Sequence, residues 1–343
     1  MRAITAQSAT ATAQVQDLPR LTTTVPREYV HRASLAEVFL SSCTPRSGLD
    51  FTLTGQWPRA HTYFTGPDHR SHDPLQVAET LRQAGILIAH TELGVPLGHH
   101  FVMWSLSYTT DPAALHITHR PTDFTIHARC TELLQRRTTI NRATIEMTLH
   151  RDHTHIAHGA VTFSTISPAV YTRLRGTTTS TTGDGPATHP HPHTGTGTAA
   201  GITPGTPTAG TTPPARPRAP MPPATVGRHS PTDVVLTPTN HPSQWLLTPN
   251  LNHPVLFDHT SDHIPGMVLL EAARQAAHAT TNTPHFTPTN TTTHFTRYTE
   301  HHHPCTIEVT HTQPDNNTTT TLHITGTQQN HTVFNTTITG PTT

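Results

Sequence analysis

Apolar residues along this chain follow two periods. Two segments, Asp73-Pro-Leu-Gln-Val-Ala-Glu79-Thr-Leu-Arg82-Gln83-Ala84 and Pro265-Gly-Met-Val-Leu-Leu-Glu271-Ala-Ala-Arg274-Gln275-Ala276, are rich in good helix formers and open on an acid or a proline suited to a first turn. Each predicts a helix. Past each helix the pattern changes to alternation. Phe101–Tyr108, Leu115–Thr118, Phe124–His127, Thr144–Leu149 and His155–Ile166 alternate with period two, and so do His294–Tyr298, Cys305–Thr310, Thr320–Gly326 and His331–Ile338. Each half therefore predicts one main helix followed by an antiparallel meander of three to five strands.

Between Gly176 and Thr225 large apolar side chains almost vanish, and Thr, Gly, Pro and Ala take over around a His189–His193 run of alternating His and Pro. Such a stretch buries too little surface to offset its ordering entropy and reads as a linker. The expected organisation is a disordered segment over 1–23, a first domain over 24–175, a linker over 176–229 and a second domain over 230–343. The two helical segments are also a repeat: Glu, Arg, Gln and Ala recur at the same offsets, and an Asp-His pair lies upstream of each, Asp68-His69 and Asp258-His259.

Composition narrows the function. Charged residues are only 12% of the chain, 21 acidic against 21 basic, which disfavours a nucleic-acid binder driven by phosphate neutralisation. The chain has no lysine, so chemistry that needs a Schiff-base or P-loop lysine is excluded. No apolar run approaches a membrane span and Met1–Pro26 lacks the apolar block of a signal peptide, which predicts a cytoplasmic protein with no membrane partner. Cys43, Cys130 and Cys305 are odd in number and far apart, as expected of buried thiols in a reducing compartment. Thr, at about a fifth of the chain, with 31 His and 32 Pro, replaces the usual charged surface.

The residues around the second helix carry a resemblance. Asp258-His259 followed by Pro265-Gly266-Met-Val-Leu-Leu-Glu271-Ala resembles the His and Pro-Gly-Val-Leu motif of hydroxyacyl-ACP dehydratases, with a shorter His-to-Pro gap and with Arg274 one turn after Glu271. The fuller string from Phe257 to Ala276 closely resembles the A-factor biosynthesis hotdog family of actinomycetes. Val25-Pro-Arg-Glu-Tyr-Val-His31, Asp73-Pro74 with Glu79 and Arg82, and Gly94 to Phe101 are similar to it as well. The likeness spans roughly residues 24 to 175 and 230 to 340. It implies an α+β tandem hotdog, each half a central helix wrapped by an antiparallel sheet. It also implies an acyltransferase that joins the β-ketoacyl group of a β-ketoacyl acyl carrier protein to the hydroxyl of dihydroxyacetone phosphate, in γ-butyrolactone biosynthesis and with no cofactor. Two hotdogs in one chain already form the pseudo-dimer, so a monomer is expected, or a homodimer.

The residues suggest the roles. Glu271 and Arg274, like Glu79 and Arg82, are three apart and share a helix face. Glu271, flanked by Leu269 and Leu270, is the leading candidate to deprotonate the acceptor hydroxyl, with Glu79 as its first-half counterpart. Arg274 and Arg82 suit a phosphate, unless they pair with the glutamates and lower their basicity. Arg297, expected on a strand, is a further phosphate candidate. Gly266 opens a helix N-terminus suited to an oxyanion. His259 or His263 would orient the alcohol or protonate the leaving thiolate. The tracts His99-His100, His153-Thr-His155, His189–His193 and His301–His303 look metal-like, but composition this rich in His produces such pairs, and no metal site is expected. Two other readings stay open: a hotdog dehydratase or thioesterase, which has no use for Arg274, and a non-catalytic module that binds a lactone or carrier protein.

Overall fold

The alternation in the sequence builds a sheet that hides every second side chain. In the computed structural model, which describes residues 22–66, 68–176, 218–281, 286–315 and 319–341, strand β2 (Asp50–Trp57) buries Phe51, Leu53, Gly55 and Trp57 on one face. The other strands are β1 (Leu40–Pro45), β3 (His100–Thr110), β4 (Thr122–Arg136), β5 (Thr139–Arg151), β6 (Thr154–Ile166), β7 (Leu236–Pro238), β8 (Gln244–Leu247), β9 (Asn290–Phe295), β10 (Cys305–Asp315), β11 (Thr319–Gln328) and β12 (His331–Pro341). Among the described residues three α-helices accompany them, α1 (Pro74–Thr91), α2 (Pro168–Gly176) and α3 (Gly266–Thr281).

The strands form one antiparallel sheet in the order β1-β2-β4-β5-β6-β3-β9-β12-β11-β10-β8-β7. The order is a palindrome about the β3–β9 pair, where Ser105 faces His294 and Ser107 faces Thr292. Each half curls around its own helix. Along α1 the buried set runs from Pro74 to His90 and includes Glu79, Thr80 and Gln83, whose side chains find hydrogen-bond partners inside the protein. Asp73 caps it by accepting from the Leu75 N–H at 2.9 Å. Helix α3 follows Pro265. The fold is the tandem hotdog that the sequence pattern implies.

Several expectations are corrected. Hairpins β1–β2 and β7–β8 precede the helices, so each unit is hairpin, helix, then four strands. Strands β7 and β8, at three and four residues, are too short to show a period, whereas the alternation in β2 is legible. Leu115–Thr118 is not a strand: the Leu115 carbonyl accepts from the His72 N–H, and the Ile117 N–H donates to the Arg70 carbonyl, so its backbone pairs with the loop before α1. Strand β9 ends at Phe295, which places Arg297 in the loop beyond it. Residues 218–229 belong to the second unit, not to a linker. Met221 N–H bonds the Leu236 carbonyl at 2.9 Å, as Val25 N–H bonds Leu40 in the first unit, and Arg228 is buried. Residues 1–21 and 177–217, with the His189–His193 run, lie outside the described residues.

Candidate active site

Each central helix carries a buried carboxylate held by two guanidiniums. Glu79 accepts from Arg32 Nε at 2.9 Å, from Arg82 Nε and Nη2 at 2.9 and 2.8 Å, and from Gln83 Nε2 at 2.7 Å. Glu271 accepts from Arg228 at 2.7 and 2.6 Å, from Arg274 at 2.8 and 2.9 Å, and from Gln275 at 2.5 Å. The clusters also tie the halves together, because Arg32 Nη1 reaches the Val255 carbonyl and Arg228 Nη1 reaches the Tyr63 carbonyl. Both glutamates are completely buried.

This geometry corrects the role expected of the glutamates. Burial alone would raise each carboxyl, but Arg32 and Arg82 outweigh it and hold Glu79 down at about 2, while Arg228 and Arg274 hold Glu271 well below the ordinary carboxylate range. Glu271 and Glu79 are therefore ionised ties whose oxygens are taken up by guanidinium and amide donors, leaving neither carboxylate open to an alcohol. Arg274 is spent on Glu271 and on the Val226 carbonyl, so it is not open to a phosphate.

A pH dependence follows. The Glu79 value in the fold lies below the ordinary 4.5 of an unfolded chain, so its stabilisation is full above about pH 4.5 and is lost as pH falls towards 2. The loss from Glu79 alone is roughly 3 kcal/mol, and Glu271 acts in the same direction. Thermal melts from pH 6 to 2.5 should show a steep fall in Tm that Glu79→Gln flattens; a melt independent of pH over that range would contradict the tie.

The two clusters differ in what covers them. Over Glu271, the Tyr63 ring, fully buried, lies 4.0 Å from the Arg228 guanidinium, and Asp73 Oδ2 sits 3.2 Å from Arg228 Nη1. The equivalent positions in the other half are Val255 and Pro265, which supply neither ring nor carboxylate. There a cavity of about 960 Å³ opens onto Arg32 and Arg82, and the Arg82 side chain is 17% exposed against 7% for its twin Arg274. His259, His263, Gly266 and Arg297 line the same cavity. Its walls then turn apolar at Gly85, Ile86, Leu106, Val161 and Phe163.

The structure thus brings Arg82, His259, His263, Gly266 and Arg297 together and leaves Glu271 and Arg274 in the sealed twin. Burial, then the charges of Arg82 and Arg32, lowers the His259 imidazole below its ordinary range, and burial does the same to His263, whose Nδ1 is 2.8 Å from Asp262 Oδ1. Asp262 in turn accepts from the Tyr171 hydroxyl and from Arg175 of α2. Sequence reasoning missed Arg32, Arg228 and Tyr171. Aligning Val25-Pro26 through Val30-His31-Arg32 with Met221-Pro222 through Val226-Gly227-Arg228 would have exposed the first two. Among the described residues no three His, Cys, Asp or Glu side chains are placed to hold a metal, and no helix is long and apolar enough to cross a membrane.

A sequence profile of the A-factor biosynthesis hotdog domain matches residues 13–167 and 210–343. The chain belongs to that family. The 2-oxo-3-(phosphooxy)propyl 3-oxoalkanoate synthase of Streptomyces virginiae is 40% identical over 92% of this chain and 96% of its own length. A synthase of the same name from Streptomyces coelicolor is 34% identical, covering 92% and 91%. Among solved structures, the 12:0-ACP thioesterase from Umbellularia californica covers 86% of this chain and 95% of its own at 11% identity and a TM-score of 0.48, too low a likeness to inform the chemistry. The stretches matched by the A-factor hotdog profile include Arg32, the 257–276 string and Arg228 but leave out α2.

Proposed function

We propose that the chain is a 2-oxo-3-(phosphooxy)propyl 3-oxoalkanoate synthase, transferring a β-ketoacyl group from a carrier-protein thioester to the hydroxyl of dihydroxyacetone phosphate in the cytoplasm. One observation carries the reading of the site: of the two guanidinium pairs, the first-half pair meets a cavity that is charged at one end and apolar at the other. Arg82 presents a partly open guanidinium to the phosphate, with Arg297 on the same wall. The N–H groups of Gly266 and Met267, ahead of Val268 and Leu269 whose N–H groups donate to the Pro265 carbonyl, face the thioester carbonyl as its oxygen becomes negative. His259 orients the acceptor hydroxyl, and the His263–Asp262 pair fixes the loop that carries it. The site is complete within one chain, so a monomer suffices.

The acyl chain runs along α1 into the apolar end. Gly85 lies one turn beyond Arg82 on the same helix face, and a Cβ there would meet Val161 Cγ2 at 3.0 Å. Replacing Gly85 by leucine should therefore cut turnover of long β-ketoacyl thioesters at least tenfold relative to short ones. Equal losses across chain lengths would remove the chain from this channel. The reaction itself is tested by incubating purified protein with a β-ketoacyl thioester and dihydroxyacetone phosphate and analysing the product by mass. The phosphorylated ester is expected; release of the free 3-oxo acid or of a dehydrated acyl group would overturn the reading in favour of a thioesterase or dehydratase.

A further inference from the structure

At the residue before the first guanidinium of each cluster, the halves diverge. His31 and Gly227 occupy equivalent positions, each closing a short 3₁₀ turn in the left-handed conformation, with φ 52° and ψ 56° at His31 and φ 67° and ψ 36° at Gly227. Glycine adopts that conformation freely, whereas a Cβ opposes it. The sealed half has the unstrained residue; the half that opens on the cavity places an imidazole there, on the cavity wall. Backbone strain kept at such a place points to a role for the side chain.

The hydrogen bonds behind His31 determine its tautomer. His90 Nδ1 lies 2.8 Å from the Val95 carbonyl, and a carbonyl only accepts, so Nδ1 carries the hydrogen. Burial lowers both imidazoles, His31 to about 3, and the groups facing His31 (Arg82 and His90 of α1, His259, and His100 of β3) add to the effect, so both rings are neutral. A neutral His90 with its hydrogen on Nδ1 has a bare Nε2. That atom is 3.0 Å from His31 Nε2, which must donate. The hydrogen of His31 is thereby fixed on Nε2, and Nδ1 is left as a lone pair.

We propose that His31 is the general base of the acyl transfer, and that the Val95 carbonyl and His90 are positioning groups that hold it in the tautomer with Nδ1 free. The inference rests on the acyltransferase reading above. Nδ1 takes the proton of the acceptor hydroxyl as its oxygen attacks the thioester carbon. The C–O bond forms, the C–S bond breaks, and Nδ1 returns the proton to the departing thiolate. The charge of Arg82 opposes protonation of His31, and a phosphate dianion on Arg82 cancels it. The base is strongest when the phosphorylated acceptor is bound and weak towards water when it is not, which favours transfer over hydrolysis.

The test compares wild-type protein, His31→Gly, His31→Gln and His90→Phe on an N-acetylcysteamine β-ketoacyl thioester with dihydroxyacetone phosphate. His31→Gly retains its fold, since glycine is the residue of the twin turn; His31→Gln serves if it does not. Both His31 variants should lose about a hundredfold in kcat with KM for dihydroxyacetone phosphate within about threefold, and added imidazole should restore part of the loss in His31→Gly. His90→Phe should lower kcat about tenfold and displace the acid limb of the pH profile, a change that lost packing alone would not produce. A folded His31 variant keeping a third or more of wild-type kcat, or a loss that imidazole does not restore, would overturn the assignment. Absence of ester from the wild-type protein would instead fail the acyltransferase reading, and the inference with it.

Discussion

Replacing Arg82 by glutamine should lower kcat/KM for dihydroxyacetone phosphate about a thousandfold while the protein stays folded. A thousandfold corresponds to about 4 kcal/mol, the size expected for charge-assisted hydrogen bonds to a phosphate in a site shielded from water. The fold tolerates the change because Glu79 keeps Arg32 at 2.6 Å and Gln83 at 2.7 Å, so its charge is not left bare. Arg82 is also the more exposed guanidinium of its pair. Dihydroxyacetone without its phosphate is the control. Wild-type and Arg82→Gln proteins should use it within a few-fold of each other, because the missing interaction is with the phosphate. An equal thousandfold loss on the unphosphorylated acceptor would show that Arg82 serves something other than phosphate binding.

That Arg82, and not Arg274, is the residue to change was beyond the reach of the sequence motif. The repeat and the 257–276 string are local, and they correctly marked both helices and the Glu-Arg pairs. What separates the pair proposed to bind substrate from its twin is distant in the chain: Tyr63 and Asp73 fill the space over Arg228, whereas Val255 and Pro265 leave it open over Arg32. Filling is a property of the boundary between halves, and no motif encodes it. The same limit explains the linker. Residues 218–229 still carry Pro220, Pro222 and Pro223 and continue directly from the Pro- and Thr-rich stretch, yet Val226 and Arg228 are buried because partners from both halves meet them. Strands β7 and β8 are only three and four residues long, too short to show a period, whereas β1 and β2 were passed over although β2 alternates along its whole length, because strands were expected only past each helix. His259, His263 and Gly266 were legible as candidates because they sit in the string itself, and they line the cavity; His31 was visible only as part of a resemblance, since its tautomer depends on His90 and Val95 far along the chain.

The same substitution in the sealed twin should act on stability. Arg228→Gln leaves Glu271 with Arg274 and Gln275 and takes the guanidinium from Asp73, so two buried carboxylates share one arginine. Removing one member of a buried ion network costs about 3–5 kcal/mol, because the excess carboxylate charge is shielded from water and no longer balanced. For a chain of this size the Tm should fall by roughly 4–7 °C. The Tyr63 carbonyl also loses its 2.7 Å donor, which loosens the contact between halves. Activity measured at a temperature where the variant is folded should stay within a few-fold of wild type, since Arg228 does not face the cavity. A second substitution checks the cause. Glu271→Gln in the Arg228→Gln background removes the bared carboxylate and should recover part of the lost Tm, as charge left unpaired costs more than charge removed. If Arg228→Gln melts like wild type, or if it loses the thousandfold activity expected of Arg82→Gln, then the twin is not sealed and the assignment of the two clusters must be exchanged.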